Sequence, residues 1–152
     1  MLVSRVRYIM RITIVIGFFV ASMSLVHVVL ATDAAVIGKW QTEASDTGGR
    51  AYVQIELCGD KICGTIVNAI DGDGAVVADY EHLGKQMIAG MNEKSPGIYT
   101  GGTIWAPDRN KTYRSRMKLI SNGKLVVKGC VAFICRSQTW TRINDVLQSQ
   151  SE

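Results

Sequence analysis

Apolar and polar residues alternate along much of the chain after residue 35, which is the spacing of β-strands that bury one face. The clearest example is residues 111–120. One set of positions is polar and mainly basic (Thr112, Arg114, Arg116 and Lys118), and the intervening set is Tyr113, Ser115, Met117 and Leu119. Because successive side chains of a strand point to opposite faces, the second set is predicted to face a core.

Turn-forming residues divide this region into about eight short strands at fairly regular spacing. The predicted strands cover residues 38–42, 51–58, 61–70, 86–91, 98–105, 111–120, 124–131 and 135–143. Residues 75–96 form the least regular stretch, and residues 76–83 within it are predicted as a short helix or a loop with some strand. The pattern predicts an all-β domain, either a sandwich or a barrel, over residues 36–143, followed by a polar tail at 144–152.

The first 31 residues are predicted to be a targeting segment. Three arginines precede an apolar run at residues 12–30, no acidic residue appears before Asp33, and small residues near 29–31 suit a cleavage site. These features are typical of a secretory signal peptide. The apolar run is also close to the roughly 20 residues of a membrane helix, so an uncleaved anchor is the alternative. Both interpretations place the domain outside the cytoplasm, as a periplasmic or secreted protein or one tethered to the inner membrane.

The net charge of the domain is close to zero. The chain has 17 basic and 13 acidic residues. Three of the basic residues and none of the acidic ones precede residue 32, which leaves 14 basic and 13 acidic residues. This balance gives no electrostatic reason to expect a nucleic-acid partner. Membrane contact is expected only through an uncleaved N-terminal segment, and the sequence predicts no oligomeric state.

The four cysteines occur as two Cys-x4-Cys pairs, and an even count in an exported chain favours disulfides. Pairing within each hairpin is consistent with the side-chain alternation. Cys58 opposite Cys63 leaves Ile55 facing Ile66 on an apolar face, and Cys130 opposite Cys135 leaves Leu125, Val127, Gln138 and Trp140 on the opposite face. We therefore favour Cys58–Cys63 and Cys130–Cys135 on the outer surface of the sheet. Cross-pairing and a four-thiolate zinc site remain as alternatives.

Several short motifs resemble the bacterial family catalogued as domain of unknown function 2147. They are Gly38-Lys-Trp40, Cys63-Gly-Thr-Ile66, Gly-Gly-Thr-Ile-Trp-Ala-Pro-Asp at residues 101–108, Lys111-Thr-Tyr113 and Gln138-Thr-Trp-Thr-Arg142. The resemblance covers about residues 36–143 and implies an exported protein of unassigned function with a lipocalin-like, antiparallel up-and-down β-barrel of about eight strands. One position departs from the family pattern, because Asn110 stands where a glycine is usual. Asparagine tolerates positive φ, so the turn is expected to persist.

The chain also resembles the calycins, which carry Gly-x-Trp on the first strand and an arginine on the last. The matching residues are Trp40 and Arg142. The resemblance implies that Trp40 plugs one end of the barrel and that the Arg142 guanidinium packs over it. This contact would be a structural latch, worth roughly 0.5–2 kcal/mol according to its burial.

No constellation of residues predicts catalysis. His82 is the single histidine after residue 32, and a solvated side chain beside Glu81 is the favoured interpretation. The sequence Asp71-Gly-Asp73-Gly74 faintly resembles a calcium loop but lacks its later ligands, so a turn is favoured. The sequence therefore predicts no enzyme, no metal site and no cofactor.

The interior of the barrel is the remaining candidate site. Tyr113, Ser115, Met117 and Gln138 are predicted to face inward and are the candidate ligand-binding residues. An eight-stranded barrel is either filled by side chains or holds one small ligand. The first hypothesis is therefore a binding protein for a small lipophilic molecule. The second is an envelope structural or interaction protein with a filled core, acting through its surface. The basic row of residues 114, 116 and 118 is expected to be solvated, with an anionic surface such as lipid head groups as the alternative.

Overall fold

A computed structural model describes residues 35–121 and 123–144, which form a closed barrel of eight antiparallel strands. The strands are β1 (Gly38–Gln41), β2 (Arg50–Cys58), β3 (Lys61–Ile70), β4 (Gln86–Ser95), β5 (Ile98–Ala106), β6 (Lys111–Ser121), β7 (Lys124–Val131) and β8 (Ile134–Ile143). Each pairs with the next, and β8 pairs with β1. The all-β, up-and-down prediction is confirmed. The predicted targeting segment and nearly all of the polar tail lie outside the described residues.

The connections alternate between the two ends of the barrel. The end that we call the latch end carries the start of β1, the end of β8 and the turns after β2, β4 and β6. The opposite mouth end carries the longer connections 42–49 and 71–85, the 3₁₀ turn Pro107–Arg109 and the β7–β8 turn. Among the described residues, no helix is long and apolar enough to cross a membrane.

The latch end is packed solid. Its centre contains Trp40, Tyr99 and Trp140, none of which is exposed to solvent. The buried side chains around them belong to the alternate, inward-facing positions of every strand, as the pattern predicts, and include Val53, Ile55, Ile66, Met117, Leu125 and Val127. Filling of this half excludes a channel through the barrel.

One turn and one bend within a strand require a particular backbone conformation. Asn110 has φ 48°, and its Oδ1 accepts a hydrogen bond from the Trp105 indole at 3.2 Å, so the turn persists as expected. Gly101 has φ 84° and adjoins a β-bulge in the β5–β6 pairing. A Cβ at Gly102 would collide with the carbonyl oxygen of Ala89. This glycine pair therefore allows the chain to bend within β5.

The register of the β7–β8 hairpin is the predicted one, with Cys130 opposite Cys135 and Leu125 opposite Trp140. The register of the β2–β3 hairpin is shifted by two residues. Cys58 lies opposite Lys61, and Glu56 lies opposite Cys63. The turn consists of Gly59 and Asp60 alone, because Gly59 adopts φ 70° and allows a tight reversal. An even shift preserves which residues face inward, so the predicted apolar face is retained.

Candidate functional site

Trp40 and Arg142 are directly paired on β1 and β8 and lie in contact. The guanidinium carbon of Arg142 is 4.2 Å from the centroid of the Trp40 ring. Arg142 also donates hydrogen bonds to the carbonyl oxygens of Ile37, at 2.7 Å, and Ala35. The Trp40 indole donates to the carbonyl of Val36 at 2.8 Å. Desolvation by burial lowers the pKa of Arg142. The contact ties the segment preceding β1 to the end of β8 and closes the latch end.

The contact between Trp40 and Arg142 requires a glycine at position 38. Its φ of 134° is one that residues with a side chain rarely adopt, and a Cβ there would collide with Nη1 of Arg142. The glycine of the Gly-x-Trp motif is thus explained by the arginine that packs against it.

The mouth end contains a pocket of about 330 Å³, which we call the mouth pocket. Its walls are largely apolar and come from inward-facing positions of β4 to β8, with the 3₁₀ turn at the rim. The apolar walls include Met87, Ile104, Val127 and Ile134, and the polar groups include Tyr113, Arg136 and Gln138. The pocket volume is near the lower limit of the roughly 300–1,000 Å³ that is usual for small-molecule sites.

The polar groups of the mouth pocket differ in how many of their hydrogen-bonding and charged atoms already have partners within the described residues. The side-chain oxygen of Gln138 accepts a hydrogen bond from the Trp140 indole at 2.9 Å, which leaves its amide nitrogen to donate. Arg109 pairs with Asp108 at 3.2 Å, and interactions with Tyr113 and Asp108 raise its pKa. Arg136 forms no ion pair within residues 35–121 and 123–144. Arg136 is therefore the cation that remains available at the rim.

The structure separates the four candidate ligand residues into two pairs. Tyr113 and Gln138 line the mouth pocket. Ser115 and Met117 do not, and their exposed fractions are only 3% and 2%. The Ser115 hydroxyl has no hydrogen-bond partner in the described part of the chain. The sequence analysis left a ligand cavity and a filled core as alternatives. The structure has a pocket at the mouth end of the barrel and a filled core at the latch end.

The interpretation of His82 as a solvated side chain is wrong. Only 19% of its side chain is exposed, and its ring packs edge-on against Trp105 at 4.8 Å and Tyr80 at 5.2 Å. Lys85 lies 3.4 Å from the centroid of the Trp105 ring. These residues of the 71–85 connection cover Trp105 on the outside of β5. Because the connection has no strand or helix pattern, no signal in the sequence predicts that it packs there.

Each cysteine pair is at disulfide distance within its own hairpin, as favoured from the sequence. The Cα atoms are 5.8 Å apart for Cys58 and Cys63 and 4.1 Å apart for Cys130 and Cys135. The cysteines are therefore paired within each hairpin and not between the two hairpins. Cys63 is buried rather than on the open surface, while Cys130 and Cys135 staple the hairpin beside the mouth pocket.

Comparison with known proteins supports the architecture. The sequence pattern of a family described as "Uncharacterized protein conserved in bacteria (DUF2147)" matches residues 38–142. A similar solved structure is that of protein HP1028 from the human pathogen Helicobacter pylori, which is described as belonging to the lipocalin family. The TM-score is 0.58 at 19% sequence identity, over 74% of this chain and 86% of that one. No curated protein matches the chain. The structural likeness shows a shared lipocalin-like fold.

Proposed function

The chain belongs to this family of uncharacterised bacterial proteins, and we propose that it binds a small lipophilic molecule in the mouth pocket. The observation that carries the proposal is an apolar pocket of about 330 Å³ at one end of a barrel whose other end is solid. A closed base and an open mouth give a site with one entrance. Apolar walls with a few polar groups suit a mainly lipophilic ligand.

The polar groups of the pocket suggest how such a ligand would be oriented. Its apolar body would lie against Ile104 and Val127, and its polar end would reach the rim. There the Gln138 amide and the Arg136 guanidinium can donate hydrogen bonds. A donor-only, charged side chain such as arginine favours an anionic group, of which a carboxylate is the simplest.

The proposed role is binding rather than catalysis, in a compartment outside the cytoplasm. The compartment is supported by the predicted signal or anchor segment and by two cysteine pairs placed to form disulfides, which persist in oxidising environments. A binding role is supported by the fact that the histidine of this domain is packed on aromatic rings rather than on a nucleophile.

The proposal is tested by native mass spectrometry of protein refolded from denaturant and offered a cell-envelope lipid extract. We expect a retained ligand mass for the natural chain. Val127→Phe, which fills the pocket, should lose that mass, whereas Val67→Phe, the same substitution at an exposed outward position of β3, should keep it. Circular dichroism confirms folding of both variants, since overpacking costs about 1–3 kcal/mol. If no ligand mass appears, or if Val127→Phe binds normally, the proposal is wrong.

The orientation is tested with two probes of equal chain length, dodecanoate and dodecanol. Arg136→Gln should weaken dodecanoate binding up to about tenfold, which is the effect of one partly exposed charge-assisted hydrogen bond. Dodecanol binding should not change. Equal losses for both probes would mean that Arg136 shapes the pocket rather than contacting the ligand head group.

A further inference from the structure

A second concave feature lies on the outside of the barrel, along β5, β6 and β7, and is separate from the mouth pocket. It is a groove of about 1050 Å³. Five of its lining residues are cationic, namely Lys94, Arg114, Arg116, Lys118 and Lys128, and we call this surface the basic groove. No aspartate or glutamate is among its described lining residues.

The cations of the basic groove are not neutralised by neighbouring carboxylates. None of the five forms a salt bridge within the described residues, whereas Lys61 and Arg109 elsewhere on the barrel do. Arg116 and Lys128 are directly opposite each other on β6 and β7. Like charges in that arrangement destabilise a sheet. An external anionic surface would relieve this repulsion.

Exposed apolar residues flank the cations. The β7–β8 turn presents Phe133, whose exposed fraction is 101%, and Phe133 lines the groove at the mouth end. Ile120, with 59% exposed, lines it at the latch end. The disulfide between Cys130 and Cys135 closes the hairpin whose turn carries Phe133. The groove therefore combines a cationic centre with apolar residues toward both ends.

We propose that the basic groove docks the domain on an anionic phospholipid bilayer. The five cations would contact head-group phosphates, and Phe133 and Ile120 would enter the boundary between head groups and acyl chains. This combination of basic and exposed apolar residues is the one found on surfaces that lie in a membrane interface. A nucleic acid or an acidic protein would satisfy the cations but would leave the protruding phenyl ring without an apolar environment.

The contact has a predictable strength and salt dependence. Each basic residue near an anionic bilayer contributes about a fivefold increase in membrane affinity. Reversing two of the five charges should therefore weaken binding well over twentyfold. Because the contact is electrostatic and at the surface, raising the ionic strength from about 0.1 M to 1 M should suppress most of it.

The test uses the full chain, so the readout must be local and insensitive to the N-terminal segment. Amine acetylation measured by mass spectrometry reports the reactivity of Lys94, Lys118 and Lys128. Lys39 serves as the internal reference, because β1 lies across the barrel from the groove. The protein is mixed with vesicles of phosphatidylcholine alone, or with 30% phosphatidylglycerol, or with inorganic phosphate at the same anion concentration. We expect protection of the groove lysines, and not of Lys39, with phosphatidylglycerol vesicles only.

Variants separate docking from general adsorption. The pair Arg114→Glu and Arg116→Glu should abolish the protection, and Phe133→Ser should reduce it. The matched pair Arg50→Glu and Lys61→Glu, on β2 and β3, keeps Lys39 as the reference and should leave the groove lysines protected. The proposal is overturned if the three groove lysines react equally with both vesicle types, if Lys39 is protected to the same extent, or if inorganic phosphate alone protects them. It is also overturned if reversal of both arginines has no effect.

Discussion

Replacement of Arg142 by methionine tests whether the latch holds the barrel closed. The substitution keeps an apolar stem against Trp40 but removes the guanidinium. That group makes the ring contact at 4.2 Å and hydrogen bonds to the carbonyls of Ile37 and Ala35. A partly desolvated cation–π contact contributes about 1 kcal/mol. Each hydrogen bond from the guanidinium contributes about 1 kcal/mol, below the roughly 1.5–3 kcal/mol usual for charged groups, because Arg142 is partly exposed to solvent. We therefore expect a loss of about 3 kcal/mol in the free energy of unfolding.

The assay is urea denaturation followed by circular dichroism, which does not depend on the fluorescence of the perturbed Trp40. Arg136→Met is the matched control, since it is the same substitution on the same face of β8 but at the mouth end. A change within about 0.5 kcal/mol is expected there, as for other surface positions without specific contacts. If both variants lose the same stability, or if Arg142→Met loses less than about 1 kcal/mol, the latch does not stabilise the barrel.

Three further results are expected. Gly38→Ala should destabilise the fold by about 1–3 kcal/mol through backbone strain, and its effect should not add to that of Arg142→Met in urea denaturation; strict additivity would contradict the packing explanation. Replacing Cys130 and Cys135 together by alanine should cost about 2 kcal/mol by the same assay, from the closure entropy of a short loop; an unchanged midpoint would contradict it. Burial raises the pKa of Tyr99 to about 12, so stability should be intact below pH 10 and fall as the pH rises toward 12. Tyr99→Phe should flatten that decline in pH-dependent unfolding, and an unchanged slope would assign it to other groups.

Side-chain alternation accounts for most of what was predictable. It identified the inward set on β6 and β8, and the register of the β7–β8 hairpin followed from it. It could not distinguish registers that differ by two residues, because both bury the same face. The β2–β3 hairpin therefore kept its predicted core but not its predicted pairs. The choice was made locally by the positive φ of Gly59.

The site was less predictable, because a void depends on the sizes of side chains from several strands at once. The latch end is filled by Trp40 and Trp140, whereas the wall of the mouth pocket includes Gly129. The alternation of apolar and polar residues along the chain does not show how side-chain size differs between the two ends of the barrel. The packing of His82 on Trp105 likewise depends on how an irregular connection returns to the sheet.

An even number of antiparallel strands returns the chain to the end from which it started. Lys39 and Ile143 are therefore neighbours on paired strands, both at the latch end. A fusion partner or a surface linkage attached next to the start of β1 or the end of β8 would leave the mouth pocket unobstructed. The same proximity suits circular permutation. A short linker could join β8 to β1, and new termini could be opened in the connection at residues 43–48, with every strand pairing retained.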